Sequence, residues 1–127
     1  MTAIKKNWNL FLFTFLILGF SQIALSQTKI YKGSFKNGNV TYEYFENEDY
    51  ERVYDGTFHY QGTAPFGGVI TMSGNYSNNQ MVGKWTFSID DISYNGTFSN
   101  GLLNGEWIKK NSKSGKTISR AHFSNGK

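Results

Sequence analysis

At 127 residues and without a cysteine, the chain has room for one domain and no disulfide to staple it. Thirteen basic against nine acidic side chains give a net charge of +4, which falls to +2 once Lys5 and Lys6 are set aside. That balance excludes the strongly basic surface of a nucleic-acid binder, and the 17% aromatic content excludes a disordered chain.

The amino terminus reads as an export signal. Lys5 and Lys6 precede an almost wholly apolar run from Leu10 to Phe20, and small residues follow at Ala24 and Ser26. The run is too short for a membrane span, which needs about 20 residues. Residues 1–26 are therefore expected to form a signal helix cleaved between Ser26 and Gln27, and 27–127 a single exported domain, periplasmic or secreted. Contact with a membrane is expected only if the signal segment is retained. No cysteine is present to carry a lipid anchor.

After residue 27 the apolar spacing is two, so strands and not helices are expected. Eight are predicted in chain order: 30–36, 40–46, 50–60, 69–76, 82–89, 92–99, 105–110 and 117–123. Turns are expected at Asn37-Gly38, Asn47 to Asp49, Ser77 to Gln80, Asp90-Asp91, Asn100 to Asn104 and Asn111 to Gly115. A longer loop is expected through Thr63-Ala64-Pro65-Phe66-Gly67-Gly68. The fold predicted is all-β: an antiparallel meander of hairpins, expected to form one elongated twisted sheet.

One unit recurs along these strands. It reads Tyr31-Lys32-Gly33-Ser34-Phe35, Tyr54-Asp55-Gly56-Thr57-Phe58, Met72-Ser73-Gly74-Asn75-Tyr76 and Tyr94-Asn95-Gly96-Thr97-Phe98. A fifth copy, Ser119-Arg120-Ala121-His122-Phe123, lacks the glycine. A second half-motif, Gly-x-Trp, stands at Gly83-Lys84-Trp85 and Gly105-Glu106-Trp107. In an extended strand the first, third and fifth residues of a unit share a face, so each copy presents aromatic, glycine, aromatic inward. The bare glycine leaves room for a ring from the next strand. Trp85 and Phe87 are likewise expected inward, while Asn95 and Thr97 face solvent.

These residues resemble MORN repeats, in which Tyr-x-Gly-x-aromatic is followed by a polar residue, Asn-Gly and a Gly-x-Gly or Gly-x-aromatic half. The nearest copies run from Tyr94 to Trp107 and from Met72 to Trp85. The resemblance spans about residues 30–127. It implies a string of hairpins in one long sheet, and a scaffold or interaction role rather than catalysis. The repeat residues transfer as core positions.

No constellation for catalysis stands out, and no cofactor motif appears. The two histidines, His59 and His122, fall on the face opposite the rings and are expected to be solvated. Charge is uneven: residues 43–55 hold six acids against Arg52, whereas 107–127 hold six bases and no acid. These two ends give a route to self-association, basic end against acidic end. The function expected is that of an exported, non-enzymatic module binding a protein partner or envelope component. The alternative is a glycan- or lipid-binding protein that uses its aromatic face.

Overall fold

The computed structural model describes residues 27–127. The predicted signal helix lies outside them. Eight strands follow in order: β1 (Lys29–Phe35), β2 (Gly38–Glu46), β3 (Arg52–Thr63), β4 (Val69–Ser77), β5 (Gln80–Ile89), β6 (Ile92–Ser99), β7 (Leu102–Asn111) and β8 (Thr117–Phe123). Each pairs antiparallel with its neighbours in sequence, in the order β1 to β8. The sheet is open, with β1 and β8 as its edges. Among the described residues there is no helix.

The turns show why the strands outrun their predicted ends. Ser77 pairs with Gln80, and Ser99 with Leu102, so those turns hold only Asn78-Asn79 and Asn100-Gly101. Both residues of each pair take positive φ, as tight hairpins of this twist require. Gly83 and Gly105, at φ of 67° and 75°, lie not in turns but in bulges within β5 and β7. The expected Asn37-Gly38 turn sits one residue earlier, at Lys36-Asn37, with Phe35 paired to Gly38. Gly38 is needed instead for close packing: a Cβ there would run into the backbone of Gln61 and Gly62. β3 begins at Arg52 because Tyr50 takes positive φ in the preceding turn.

Successive turns also tie to strands beyond their own hairpins. Asn79 N–H donates to Tyr54 O, Gly101 N–H to Met81 O, and Gly126 N–H to Leu103 O, at 2.8–3.0 Å. At the opposite end Asp90 N–H donates to Val69 O, and the Asp90 carboxylate accepts from Val69 N–H at 2.9 Å. The Asp90-Asp91 pair therefore makes the turn expected of it.

Among the described residues no second layer lies against the sheet, and its core is built from long side chains lying along one face. Val40, Tyr42, Tyr44 and Trp85 are buried, and Trp85 alone falls to 1% exposure. Rings abut across five strands: Tyr42 on Tyr54 and Phe58, Tyr76 on Phe58 and Trp85, and Trp85 on Phe87 and Phe98, with centroids 4.8–6.5 Å apart. Aromatic burial of this kind is the largest apolar contribution such a face can make.

Candidate functional site

The cross-strand register explains the recurring glycines. Thr86 pairs with Ser73 and Val82 with Asn75, so Gly83-Lys84-Trp85 stands opposite Gly74 alone. Likewise Ile108 pairs with Asn95 and Asn104 with Thr97, so Gly105-Glu106-Trp107 stands opposite Gly96 alone. In each bulge the first glycine takes the left-handed conformation, and the tryptophan then lies flat over the glycine on the facing strand. A Cβ on Gly74 would fall within the Trp85 ring, and one on Gly96 within the Trp107 ring. The indole N–H groups are anchored alike: Trp85 donates to Asn75 O at 3.0 Å and Trp107 to Thr97 O at 3.1 Å.

Two of the unit's glycines do other work. Asp55-Gly56-Thr57 forms a bulge opposite Glu43, and the place of a Gly56 Cβ is taken by the Glu43 side chain, not by a ring. Glu43 accepts from Thr57 N–H at 2.5 Å. The alternation that puts Gly56 on the ring face fails because the bulge sets three residues between Tyr54 and Phe58 against Glu43 alone, two more than a regular ladder holds. At Gly33 the neighbouring group is the Tyr31 ring of the same strand.

The two ends of the aromatic face are finished differently. At the β1 end Tyr31 packs on Tyr42, and the Arg52 guanidinium lies 4.8 Å from the centroids of both Tyr31 and Tyr44. Arg52 also donates to the Tyr42 hydroxyl at 2.7 Å, and this hydrogen bond leads the causes that raise its pKa. Burial pushes up the pKa values of Tyr54 and Tyr76. Phe35, at the same edge, stays exposed and meets Tyr60 edge-on.

At the β8 end the face is left short of rings. Phe87 stacks on Trp85 at 5.7 Å and pairs across the strands with Tyr94. One repeat later the same two positions hold Lys109 and Ser119, again paired. Ala121 stands where Gly96 stood. Trp107 therefore packs on Phe87 at 6.1 Å and Phe98 at 5.2 Å on its β6 side, and opens toward β8. The result is an open, mainly apolar groove of about 480 Å³ beside Trp107, lined also by Tyr94, Leu103, Ala121 and Phe123. Tyr94 is 41% exposed, and Lys109 Nζ lies 5.6 Å from its ring centroid.

The opposite face is polar and internally tied. Thr41, His59, Ser73, Thr86 and Asn95 follow one another across β2 to β6. His59 Nδ1 meets Ser73 Oγ at 2.7 Å, and Thr71 bonds Ser88. His59 is exposed, as expected, and is also hydrogen-bonded to its neighbour. Asn95 is engaged too: its Oδ1 accepts from Thr86 Oγ1 at 2.9 Å and its Nδ2 donates to the buried Ser93 at 3.1 Å. His122 pairs across the strands with Glu106, which forms an ion pair with Arg120. Among the described residues no cluster of three or more His, Asp or Glu is set to hold a metal.

Of the predicted face residues, the structure gathers Tyr54, Phe58, Tyr76, Trp85, Phe87, Phe98 and Trp107 into one contiguous layer, with Tyr31 joined through Tyr42. Tyr94 belongs to its groove margin. Sequence reasoning missed Tyr42, Tyr44 and Arg52, although Val40, Tyr42 and Tyr44 alternate at the spacing of two that would have placed them. It also missed Lys109 and Ser119, whose signal is their mismatch to Phe87 and Tyr94 when the repeats are aligned. No protein-family model, curated protein or solved structure matches the chain.

Proposed function

We propose that this chain is an exported, non-enzymatic binding module of MORN-like hairpin repeats, which holds a protein partner or envelope component on the β5–β8 part of its aromatic face. The observation that carries this reading is the groove beside Trp107, where Lys109 replaces Phe87, the ring that stacks on Trp85, and Ser119 replaces Tyr94. A hydrophobic concavity with rings at its wall is the usual form of a binding site. Export is read from residues 1–26 alone.

The test uses immobilised protein and an envelope fraction. The wild type is expected to retain a defined partner that the Trp107→Ala variant, checked by circular dichroism for an unchanged fold, does not retain. Equal retention by both would move the binding surface elsewhere. A second reading, glycan binding, is favoured by the exposed ring of Tyr94 at the groove margin, a platform on which a sugar ring can stack. Under that reading soluble cell-wall glycans shift the Trp107 fluorescence, and protein partners do not compete.

A further inference from the structure

Resting on the reading that the Trp107 groove is the binding surface, we infer that its occupant is an extended protein segment with alternating apolar and acidic residues, which pairs with β8 as a ninth strand. β8 is an edge, and alternate residues of an edge strand point N–H and C=O groups away from the sheet. Six of its seven residues are exposed. The chain itself begins such a pairing: Ser124 and Lys127 exchange two backbone hydrogen bonds, at 3.0 and 3.2 Å, around the Asn125-Gly126 turn. That is one antiparallel rung, and it sets the line along which a further strand runs beside β8.

Side-chain chemistry then chooses the sequence of the incoming strand. On the ring face β8 presents Ser119 and Ala121, small residues bordering the groove, so the guest's side chains on that face are apolar and reach toward Trp107. On the other face Arg120 follows Ile108 in one cross-strand row and forms an ion pair with Glu106, and Lys110 lies on β7 at the register shift that follows Lys109. No acid among the described residues forms an ion pair with Lys110, and Lys113 and Lys116 stand in the adjoining turn, so guest side chains toward that end of the face are acidic.

The same charges argue against a second copy of the chain as the guest. Its free edges are β8 and β1, and β1 carries Lys29 and Lys32 without an acid. Joining them places bases against bases. The acids of 43–55 lie on β2, on β3 and in the turn between them, so they are not on an edge. The β1 edge is also the poorer host, since Arg52 lies on Tyr31 and Tyr44 there and Glu46 holds Lys29 at 3.2 Å. Edge addition of this kind takes affinity from backbone pairing and specificity from alternate side chains.

The experiment uses the purified protein and synthetic peptides the length of β8, seven residues. One alternates glutamate with valine or phenylalanine. A second has the same composition in blocks, a third replaces glutamate by lysine, and a fourth is the first with backbone N-methyl groups on its pairing edge. The alternating acidic peptide is expected to slow hydrogen exchange of the outward amides of Thr117–Phe123, and to bind about tenfold or more tighter than the other three. Its affinity is expected to fall as salt screens the contact, and to weaken in the Lys110→Gln, Arg120→Gln double variant. Should that variant fold poorly, the salt titration on the wild type answers the same question. Binding without protection of β8 amides overturns strand addition and leaves the groove reading intact. Equal affinity for the acidic and lysine peptides overturns the charge assignment. If no peptide binds while Trp107→Ala still abolishes partner retention, the strand inference fails alone; if that retention is also unaffected, the groove reading fails with it.

Discussion

Trp85 and Trp107 are set in the same local motif, with the same bulge, the same glycine beneath the ring and the same anchored indole N–H, yet their surroundings diverge. Trp85 has Phe58 and Tyr76 on one side, Phe87 and Phe98 on the other, and is sealed. Trp107 keeps the inner pair of neighbours; of the outer pair, Lys109 takes the place of Phe87, while Phe123, at the place of Phe98, lines the open groove. A repeat motif thus specifies how a residue is held, while the adjoining repeat decides whether it is core or surface.

The largest expected separation between the two sites comes from truncating each ring. Trp85→Ala should cost about 3–5 kcal/mol, the range for a fully buried large side chain, and Trp107→Ala less than half of that. Chemical denaturation measures both. Equal losses would mean that the groove is closed in solution.

Adding a methyl beneath each ring sharpens the contrast. Gly74→Ala is expected near the top of the overpacking range of about 1–3 kcal/mol, because Trp85 has nowhere to move. Gly96→Ala should fall near the bottom, since Trp107 can tilt toward the open side. Thermal melts of the two variants test this. The left-handed glycines provide the control: Gly83 has nothing near a would-be Cβ, and Gly105 only Thr97 Oγ1 at 3.4 Å. Gly83→Ala and Gly105→Ala should therefore cost about the same, roughly 1–2 kcal/mol of backbone strain each. A large difference would show that the two bulges are not equivalent.

Restoring the missing rings should erase the comparison. The double variant Lys109→Phe, Ser119→Tyr sets a ring against Trp107 as Phe87 stands against Trp85, and is expected to stabilise by about 0.5–1.5 kcal/mol, the range for one added aromatic contact. It should also abolish partner retention. A stabilised variant that still retains the partner would separate the groove from function.

The smallest expected effect is on alkaline stability. Burial raises Tyr54 and Tyr76 above the ordinary tyrosine value, so the folded state holds these protons more tightly than the unfolded chain. Their contribution is constant below about pH 10, where both states are protonated, and is lost as pH rises through the folded values. Melting temperature should be flat from neutral pH and decline above that point. Because burial holds these two protons, Tyr54→Phe and Tyr76→Phe should reduce the decline. An undiminished decline in both variants would place the buried tyrosines wrongly.

Several features were legible because they are local. Alternation at a spacing of two names the strands, Asn-Gly and Asn-Asn mark turns, and the spacing of glycine to tryptophan signals a ring over bare backbone. Other features were not, because they depend on which strand lies opposite. Gly56 reads like Gly74 and Gly96, but its partner is Glu43 and its strand is bulged, so no ring covers it. Asn95 reads as solvated, but the register delivers Thr86 and Ser93 to its amide.

By itself the sequence determined the all-β class, the number of strands and their meander order, since short turns between alternating segments allow little else. The face that collects the rings also follows from the spacing of two, bulges excepted. Tertiary structure alone decided that the sheet stays open, that Arg52 finishes one end of the aromatic layer, and that the other end is left as a groove. The physical reason is that burial belongs to pairs of neighbouring strands. Trp85 and Trp107 carry the same motif, and only the rings supplied or withheld by the next hairpin separate a core residue from a candidate binding surface.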